Sequence, residues 1–374
     1  MQFIDLKAQQ QLIREKIEEN IKRVLDHGRY IMGPEITELE EKLAAYVGTR
    51  HAVGCASGTD ALMMALLALE VGPGDAVFTS PFTFFATAEV VGLLGATPVF
   101  VDIDPATFNL DPAKLVQAIE AVNQGQTLEP RAVIGVDLFG LPADYDAINQ
   151  IAAGHGLAVI EDAAQSLGGV YKGRRACSLA QMGCTSFFPA KPLGCYGDGG
   201  MVFCDDAQLD GLLRSLRVHG QGSDKYDNVR LGINGRLDTI QAAVLLAKLE
   251  LLPREMEQRQ EVAERYRDLM ARAGLALTTP EVPEGYASAW AQYSVLAQSQ
   301  QARQEFLDRL GKAGIPSAIY YPKPLHLQQA FAYLGHQPGD FPVSESAGDR
   351  VFSLPMHPYL AAGDQEKIVA ALAG

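Results

Sequence analysis

Residues 157–166 read LAVIEDAAQS, and this stretch decides the fold class. A short apolar run at 157–160 ends directly in two carboxylates, Glu161 and Asp162. Such a run predicts a strand buried on both faces, as in a parallel sheet covered by helices. Ligands of such sheets bind outside the carboxyl ends of the strands. Asp162 is therefore placed to meet a cationic ligand group, although a helix cap would also explain a carboxylate here.

Apolar runs and helical patterns continue to alternate on both sides of this stretch. Further strands are predicted at 52–55, 76–79, 98–101, 132–136, 184–187 and 201–204. Helices are predicted at 10–27, after Gly33-Pro34, and at 61–69, 86–94, 112–122 and 145–153. This alternation predicts an α/β fold with a mostly parallel sheet and helices on both faces.

The regular alternation of strands and helices ends in the last third of the chain. Residues 236–271 predict long helical segments interrupted near Pro253. Beyond them we expect strands at 293–297 and 317–321 and helices at 302–313 and 365–373. We therefore expect a large domain at 1–250 and a smaller α+β domain at 251–374.

Composition narrows the possible partners. The 374 residues are 48% hydrophobic and 20% charged, with a net charge of −14, which disfavours binding to nucleic acid. No apolar segment is long enough to span a membrane, and the start lacks the pattern of a signal peptide, so we expect a cytoplasmic protein. Five cysteines without a Cys-x-x-Cys pair argue against a zinc site, and no metal is expected.

Two predicted loops carry further polar residues. In the segment 56–60, Gly58 and Thr59 begin a predicted helix whose free N–H groups could bind an anion, although a simple N-cap remains open. Lys191 lies between prolines and glycines, in a loop between two predicted strands. An anion site, a strand-end carboxylate and a loop lysine match what pyridoxal 5'-phosphate requires: a phosphate anchor, a partner for the pyridine nitrogen and a Schiff-base lysine.

Several ordered motifs carry a family resemblance. They are FIDL (3–6), GPE (33–35), SGTDAL (57–62), FTFFAT (82–87), EDAAQS (161–166), SF (186–187) with Lys191, and GINGRLD (232–238). With these, the chain resembles the DegT/DnrJ/EryC1/StrS sugar aminotransferases over almost its whole length. The resemblance implies an aspartate-aminotransferase-like enzyme of fold type I, dependent on pyridoxal 5'-phosphate.

The resemblance also implies roles around the cofactor ring. Lys191 would hold the cofactor and shuttle protons, and Asp162 would pair with the pyridine nitrogen. Gln165 would contact the side of the ring, and Phe84 would stack on its face, as suits an electron-poor cation.

Other positions are implied to hold the phosphate. Gly58, Thr59 and Ser186 would bind it within one subunit. Asn234 would reach it from the partner subunit of a homodimer with shared active sites.

A narrower resemblance concerns the substrate. Segments 186–200 and 353–359 are similar to those of 3-aminotransferases acting on UDP-2-acetamido-2-deoxy-3-oxo-D-glucuronic acid. Those enzymes take the amino group from L-glutamate, and their product feeds bacterial surface polysaccharides. Arg236 would bind the sugar carboxylate through its two-pronged guanidinium, with Tyr320 and Tyr321 also at the substrate. One departure is that the subgroup tends to show His-Tyr-Pro where this chain has Tyr320-Tyr321-Pro322.

Alternative functions remain open at this point. The acceptor could be a 4-keto, or another 3-keto, nucleotide deoxysugar. Sugar dehydratases of the family replace the lysine with histidine, so Lys191 disfavours that reaction. A non-catalytic binding or regulatory protein on the same fold is disfavoured because the lysine, the aspartate and the phosphate-binding residues are all present.

Overall fold

A computed structural model describes residues 1–224 and 226–374. The α-helices of this part are α1 (Leu6–His27), α2 (Pro34–Val47), α3 (Gly58–Ala68), α4 (Ala86–Leu93), α5 (Pro112–Gly125), α6 (Tyr145–His155), α7 (Ala207–Leu216), α8 (Thr239–Leu249), α9 (Leu252–Ala273), α10 (Gln300–Lys312), α11 (Pro342–Arg350) and α12 (Ala362–Ala373). Short 3₁₀ turns lie at Leu138–Gly140, Leu325–Leu327 and Gln329–Leu334.

The strands follow the sequence pattern in the first two thirds of the chain. They are β1 (His51–Cys55), β2 (Asp75–Thr79), β3 (Thr97–Phe100), β4 (Glu129–Val136), β5 (Ala158–Asp162), β6 (Val170–Tyr171), β7 (Arg174–Arg175), β8 (Met182–Ser186), β9 (Gly200–Cys204), β10 (Leu277–Thr278), β11 (Tyr286–Ala287), β12 (Tyr293–Ala297) and β13 (Val351–Leu354).

A central sheet carries the strands in the order β1-β9-β8-β5-β4-β2-β3. The pairs from β8 to β3 are parallel, whereas β9 runs antiparallel to both of its neighbours. The mostly parallel sheet is thus confirmed. Its parallel strands end along one edge, and Asp162 is the last residue of β5 on that edge.

Alternate strand residues pack into different layers, as the two-residue period of a strand requires. On one face, Ile134 and Ile160 pack against α3 and α4. On the other face, Val133 and Val159 pack against α5 and α6, while Met201 and neighbouring residues meet α2 and α8. Because both faces are covered by helices, the strands read as nearly continuous apolar runs.

A smaller antiparallel sheet, β10-β12-β13, packs with α9, α10 and α12 around a separate apolar cluster. The strand expected at 317–321 is wrong: of these residues, Ala318 forms a single bridge with Ser353. The chain leaves the sheet there because Tyr321 packs towards Phe84 and Gln165, and Pro322 has no N–H to continue a ladder. The division near residue 250 stays a prediction. Among the described residues, no helix is both long and apolar enough to cross a membrane.

Candidate active site

Asp162 lies at the carboxyl edge of the sheet, among the polar and aromatic side chains that we together call the pocket. Its side chain is buried, and its Oδ2 accepts a hydrogen bond of 2.8 Å from the hydroxyl of Thr87 on α4. Its Oδ1 accepts one of 3.2 Å from the N–H of Ala164. Burial raises the pKa of Asp162, while the hydrogen bond from Thr87 and the positive charge of Lys191 oppose that rise. A buried carboxylate of this kind gains from a cationic ligand group.

Lys191 lies in the loop between β8 and β9, as expected. A turn fixes its backbone, because the N–H of Lys191 donates to the carbonyl of Phe188 at 2.9 Å. Burial lowers the pKa of the Lys191 amine, and the negative charge of Asp162 opposes this shift. A lysine with a lowered pKa is more often neutral at physiological pH, which is the form that acts as a nucleophile or a base.

The start of α3 forms a cradle for an anion. Ser57 caps the helix by accepting a 3.0 Å hydrogen bond from the N–H of Asp60. Among the described residues, no hydrogen bond occupies the N–H of Gly58 or Thr59, so both are available to a ligand. A Cβ at Gly58 would lie only 2.7 Å from the Cβ of Ser186, which explains why glycine stands there. Ser57 therefore caps the helix, and the next two residues, Gly58 and Thr59, are available to bind an anion.

Aromatic and amide side chains line the other side of the pocket. The Phe84 ring is 57% exposed, and its centroid lies 6.2 Å from that of Tyr321. The Tyr321 hydroxyl accepts a long, 3.4 Å hydrogen bond from Gln165 Nε2, and Gln165 Oε1 accepts one of 2.7 Å from the N–H of Phe139. The Tyr320 ring lies beside that of Tyr321, with centroids 5.7 Å apart. The structure therefore brings Phe84, Gln165 and Tyr321 together.

Asn234 and Arg236 belong to a second, open region, which we call the Arg236 groove. It has a volume of about 470 Å³ and is lined by Ile31, Ala56, Gly197, Asp198, Asn234, Arg236, Asp238 and Gln241. Asn234 is exposed, and the buried Nε of Arg236 has no hydrogen-bond partner among residues 1–224 and 226–374. Within the described parts of the chain, no hydrogen bond links either side chain to Asp162, Gln165, Ser186 or Lys191.

Two residues near Asp162 were missed by the sequence reasoning. Thr87 bonds its carboxylate directly, and Asp137 follows β4 at the same edge of the sheet. The signal for Asp137 was available, since it is a carboxylate directly after a buried strand. Thr87 lies one turn after Thr83 in the motif FTFFAT, but nothing in the sequence shows which hydroxyl faces the sheet.

The residues of the pocket fit pyridoxal 5'-phosphate. Free N–H groups at the start of α3 suit its phosphate, Asp162 suits a protonated pyridine nitrogen, and Lys191 suits its aldehyde. Gly58 leaves room for a bound anion next to Ser186. In the described residues, no group of three or more histidine, cysteine or acidic side chains could hold a metal ion.

Known proteins share both the sequence and the fold. The pattern of the DegT/DnrJ/EryC1/StrS aminotransferase family matches residues 11–373. The UDP-2-acetamido-2-deoxy-3-oxo-D-glucuronate aminotransferase of Pseudomonas aeruginosa is 49% identical, covering 100% of this chain and 99% of that protein. A UDP-N-acetyl-3-dehydro-alpha-D-glucosamine 3-aminotransferase from Acidithiobacillus ferrooxidans is 44% identical, covering 96% of this chain and 93% of that protein.

Solved structures share this architecture. A DegT DnrJ EryC1 StrS aminotransferase from Brucella abortus superposes with a TM-score of 0.96 at 52% identity, covering 100% of this chain and 98% of the other. The PLP form of a sugar aminotransferase from Streptococcus pneumoniae superposes with a TM-score of 0.88 at 28% identity, covering 96% and 95%. Fold and site together define a fold-type-I aminotransferase that depends on pyridoxal 5'-phosphate. The chain belongs to the DegT/DnrJ/EryC1/StrS aminotransferase family.

Proposed function

We propose that this protein transfers the amino group of L-glutamate to C3 of UDP-2-acetamido-2-deoxy-3-oxo-D-glucuronic acid. The product is the 3-amino sugar, a precursor of bacterial surface polysaccharides. The observation that carries the proposal is the full-length similarity, at 49% identity, to the P. aeruginosa enzyme named for this keto sugar. Arg236 supports it, because its Nε is buried without a partner and a guanidinium suits a carboxylate.

The pocket residues act on the donor and acceptor in turn. When bound, pyridoxal 5'-phosphate would supply an electron sink for the reacting carbon and would carry the amino group from donor to acceptor. Lys191 Nζ would hold the cofactor until the amino group of glutamate displaces it. The freed amine would then take the proton from the α-carbon of glutamate and, in the second half of the reaction, deliver a proton to C3 of the sugar. Asp162 keeps the ring nitrogen protonated, because its buried carboxylate is stabilised by the adjacent positive charge.

The rest of the pocket positions the cofactor. Gly58, Thr59 and Ser186 bind the phosphate through the free N–H groups of α3 and a hydroxyl. Phe84 covers one face of the ring, while Gln165 contacts its side, held by the N–H of Phe139. Tyr320 and Tyr321 contact the sugar from the opposite wall.

We infer further that two copies of the chain complete the site. Asn234 is exposed in the Arg236 groove, and large apolar side chains are exposed near it in the sequence or in the groove: Ile31, Val229 and Leu231, the last 93% exposed. Apolar surface of this kind is typical of an interface. A homodimer would cover it and carry Asn234 to the partner's phosphate. We propose that this dimer works in the cytoplasm without nucleic acid or membrane partners.

A second acceptor is favoured by a specific observation. The relative at 44% identity is named for UDP-N-acetyl-3-dehydro-glucosamine, which has no carboxylate on its sugar ring. Tyr320, in place of the histidine usual in the uronate subgroup, fits a neutral sugar as well as an acidic one.

A spectral titration tests both proposals. L-glutamate should change the absorption of the bound cofactor, and the 3-oxo-glucuronic acid should restore it. Restoration by the neutral 3-keto sugar alone would favour the second acceptor. Failure of both sugars after a normal response to glutamate would direct attention to 4-keto deoxysugars. No response to glutamate would overturn the proposed function.

A further inference from the structure

Glu161, the residue before Asp162, faces the other side of the sheet. Successive side chains of a strand point to opposite faces, so Glu161 extends towards α6 rather than into the pocket. Glu161 is 0% exposed, as is Asp137, which follows β4. Glu161 pairs with Gly135 of the neighbouring strand β4, so the side chains of Glu161 and Asp137, two residues beyond Gly135, lie on the same face of the sheet. A hydrogen bond between the two carboxyl groups raises the pKa of Glu161 and lowers that of Asp137. Since an ionised carboxylate only accepts, one of the two has to carry a proton.

The donors around the pair indicate where the charge lies. Asp137 accepts from the hydroxyls of Ser166 at 2.6 Å and Tyr145 at 2.9 Å, and from the N–H of Ala143 at 3.0 Å. Among the described residues, the donors to Glu161 are two backbone N–H groups, those of Cys177 at 2.6 Å and Leu179 at 2.8 Å. With two hydroxyls and an N–H, Asp137 is better placed to hold the negative charge, and Glu161 holds the proton.

Electrostatics agree with this assignment. Burial raises the pKa of both carboxyl groups. The negative charge of Asp137 raises the pKa of Glu161 further, whereas the hydrogen bonds from Ser166, Ala143 and Tyr145 oppose the rise at Asp137. Tyr145, Cys177 and Cys184 interact electrostatically with Glu161. These three groups are acids, so they offer no positive charge that would stabilise two carboxylates.

Asp137 is connected to the pocket through short contacts. Its N–H donates to the carbonyl of Asp162 at 3.1 Å, and its carboxylate holds Ser166, the residue after Gln165. The turn that it begins, Leu138–Gly140, holds the Gln165 side chain through the N–H of Phe139. Asp137 therefore fixes both ends of the segment that carries Asp162 and Gln165.

We propose that Glu161 and Asp137 share one proton and act as a positioning pair, holding Asp162 and Gln165 in place from the far face of the sheet. That the pair positions Asp162 and Gln165 for the reaction rests on the proposed function of the protein. Loss of the proton would place two negative charges together in a dry interior, where they repel strongly. The segment from Asp162 to Ser166 would then shift.

Infrared spectroscopy tests the shared proton without reference to the reaction. At neutral pH, the difference spectrum of wild type minus Glu161→Gln should contain the carbonyl band of a protonated carboxylic acid. The exposed control Glu120→Gln on α5 should remove only ionised-carboxylate bands. An ionised-carboxylate signal for Glu161 would overturn the proposal. If Glu161→Gln does not fold, Ser166→Ala replaces it as the test variant. Without the Ser166 hydroxyl the negative charge of Asp137 is less stable, so the carboxylic-acid band should disappear at a higher pH than in the wild type.

The pH dependence of unfolding gives a second readout. A group whose pKa is raised on folding stabilises at low pH, and that stabilisation is lost as pH rises towards its folded pKa. Above the ordinary glutamate range, the wild-type unfolding constant should therefore gain a factor of about ten per pH unit relative to Glu161→Gln, and none relative to Glu120→Gln. Equal slopes for wild type and Glu161→Gln would contradict the shared proton.

The positioning half needs a signal from the pocket. Visible circular dichroism of the bound cofactor reports the orientation of its ring. It should change with pH in the wild type, as the pair loses its proton, and be less dependent on pH in Glu161→Gln. If the wild type and Glu161→Gln show the same dependence of circular dichroism on pH although the acid band is present, the pair shares a proton but does not position the pocket residues. If the acid band is present but glutamate does not change the absorption of the cofactor bound to the wild type, the proposed function is wrong instead.

Discussion

In the pocket, the side chains of Asp162 and Gln165 are hydrogen-bonded within the chain, whereas in the Arg236 groove the side chains of Asn234 and Arg236 leave polar atoms free for a ligand. Thr87 and Ala164 bond Asp162, and Phe139 bonds Gln165. In the groove, Asn234 is exposed, and the Nε of Arg236 has no hydrogen-bond partner in the part of the chain that the structure describes. Buried polar atoms are rarely left unpaired in a finished site. One chain therefore forms the cofactor pocket by itself, whereas the groove needs a substrate, a second subunit or both to complete its hydrogen bonds.

Replacing Lys191 should cause the largest loss of activity. Lys191→Ala removes the base that moves protons at glutamate and at the sugar, so we expect a loss of roughly 10²–10⁴-fold in multiple-turnover transamination. The exposed Lys114→Ala on α5 is the matched control and should retain full activity. Normal turnover by Lys191→Ala would contradict the assignment.

Replacing Asp162 should weaken cofactor binding next. Asp162→Asn keeps the size of the side chain but leaves a cationic ring without a buried counter-charge, which we expect to cost about 3 kcal/mol, or about a hundredfold in Kd. Equilibrium dialysis followed by absorption of the bound cofactor measures the change. Unchanged affinity would mean that Asp162 does not face the ring nitrogen.

The same carboxylate predicts a dependence on pH. Because burial raises the pKa of Asp162, its carboxylate takes up a proton at a less acidic pH than a free aspartate does. Cofactor retention should therefore fall as pH is lowered through that raised pKa, and Asp162→Asn should flatten the profile. Dialysis across a pH series checks the sign, and stronger retention at low pH would contradict it.

Replacing Arg236 should affect the groove and spare the pocket. Arg236→Gln removes the charge-assisted hydrogen bonds to a sugar carboxylate, each worth about 1.5–3 kcal/mol, so KM for the 3-oxo-glucuronic acid should rise by roughly 10–100-fold. KM for the neutral 3-keto sugar should change little. An equal rise for both sugars would show that Arg236 does not recognise the carboxylate.

The smallest expected effect comes from a single added methyl group. In Gly58→Ala the new Cβ would lie 2.7 Å from the Cβ of Ser186, so the phosphate cradle has to shift, at a cost of about 1–2 kcal/mol. A Cβ added at Gly211 in α7 would meet no atom within 4 Å, and Gly211→Ala should stabilise the helix slightly. Thermal unfolding and cofactor affinity measure both variants, and equal behaviour would contradict the tight fit at Gly58.

The sequence predicts the local features of the pocket better than the contacts between its elements, for a physical reason. Strand ends and helix starts are local features, so LAVIEDAAQS and SGTDAL place Asp162 and Gly58 directly. Contacts across elements are not local, which is why the Thr87 bond to Asp162 was missed. At 317–321, β-forming residues predicted a strand, but tertiary contacts of Tyr321 prevailed over that propensity.

Mixing two inactive variants tests most directly whether one chain builds the pocket and a second completes it. Lys191→Ala removes the base of its own pocket, and Asn234→Asp would place a negative charge beside the phosphate in the partner's pocket. If the sites are shared, each hybrid dimer has one intact site, and random mixing should restore about a quarter of the wild-type activity. If mixing restores nothing although hybrid dimers form, Asn234 serves its own chain and the account of the groove is wrong.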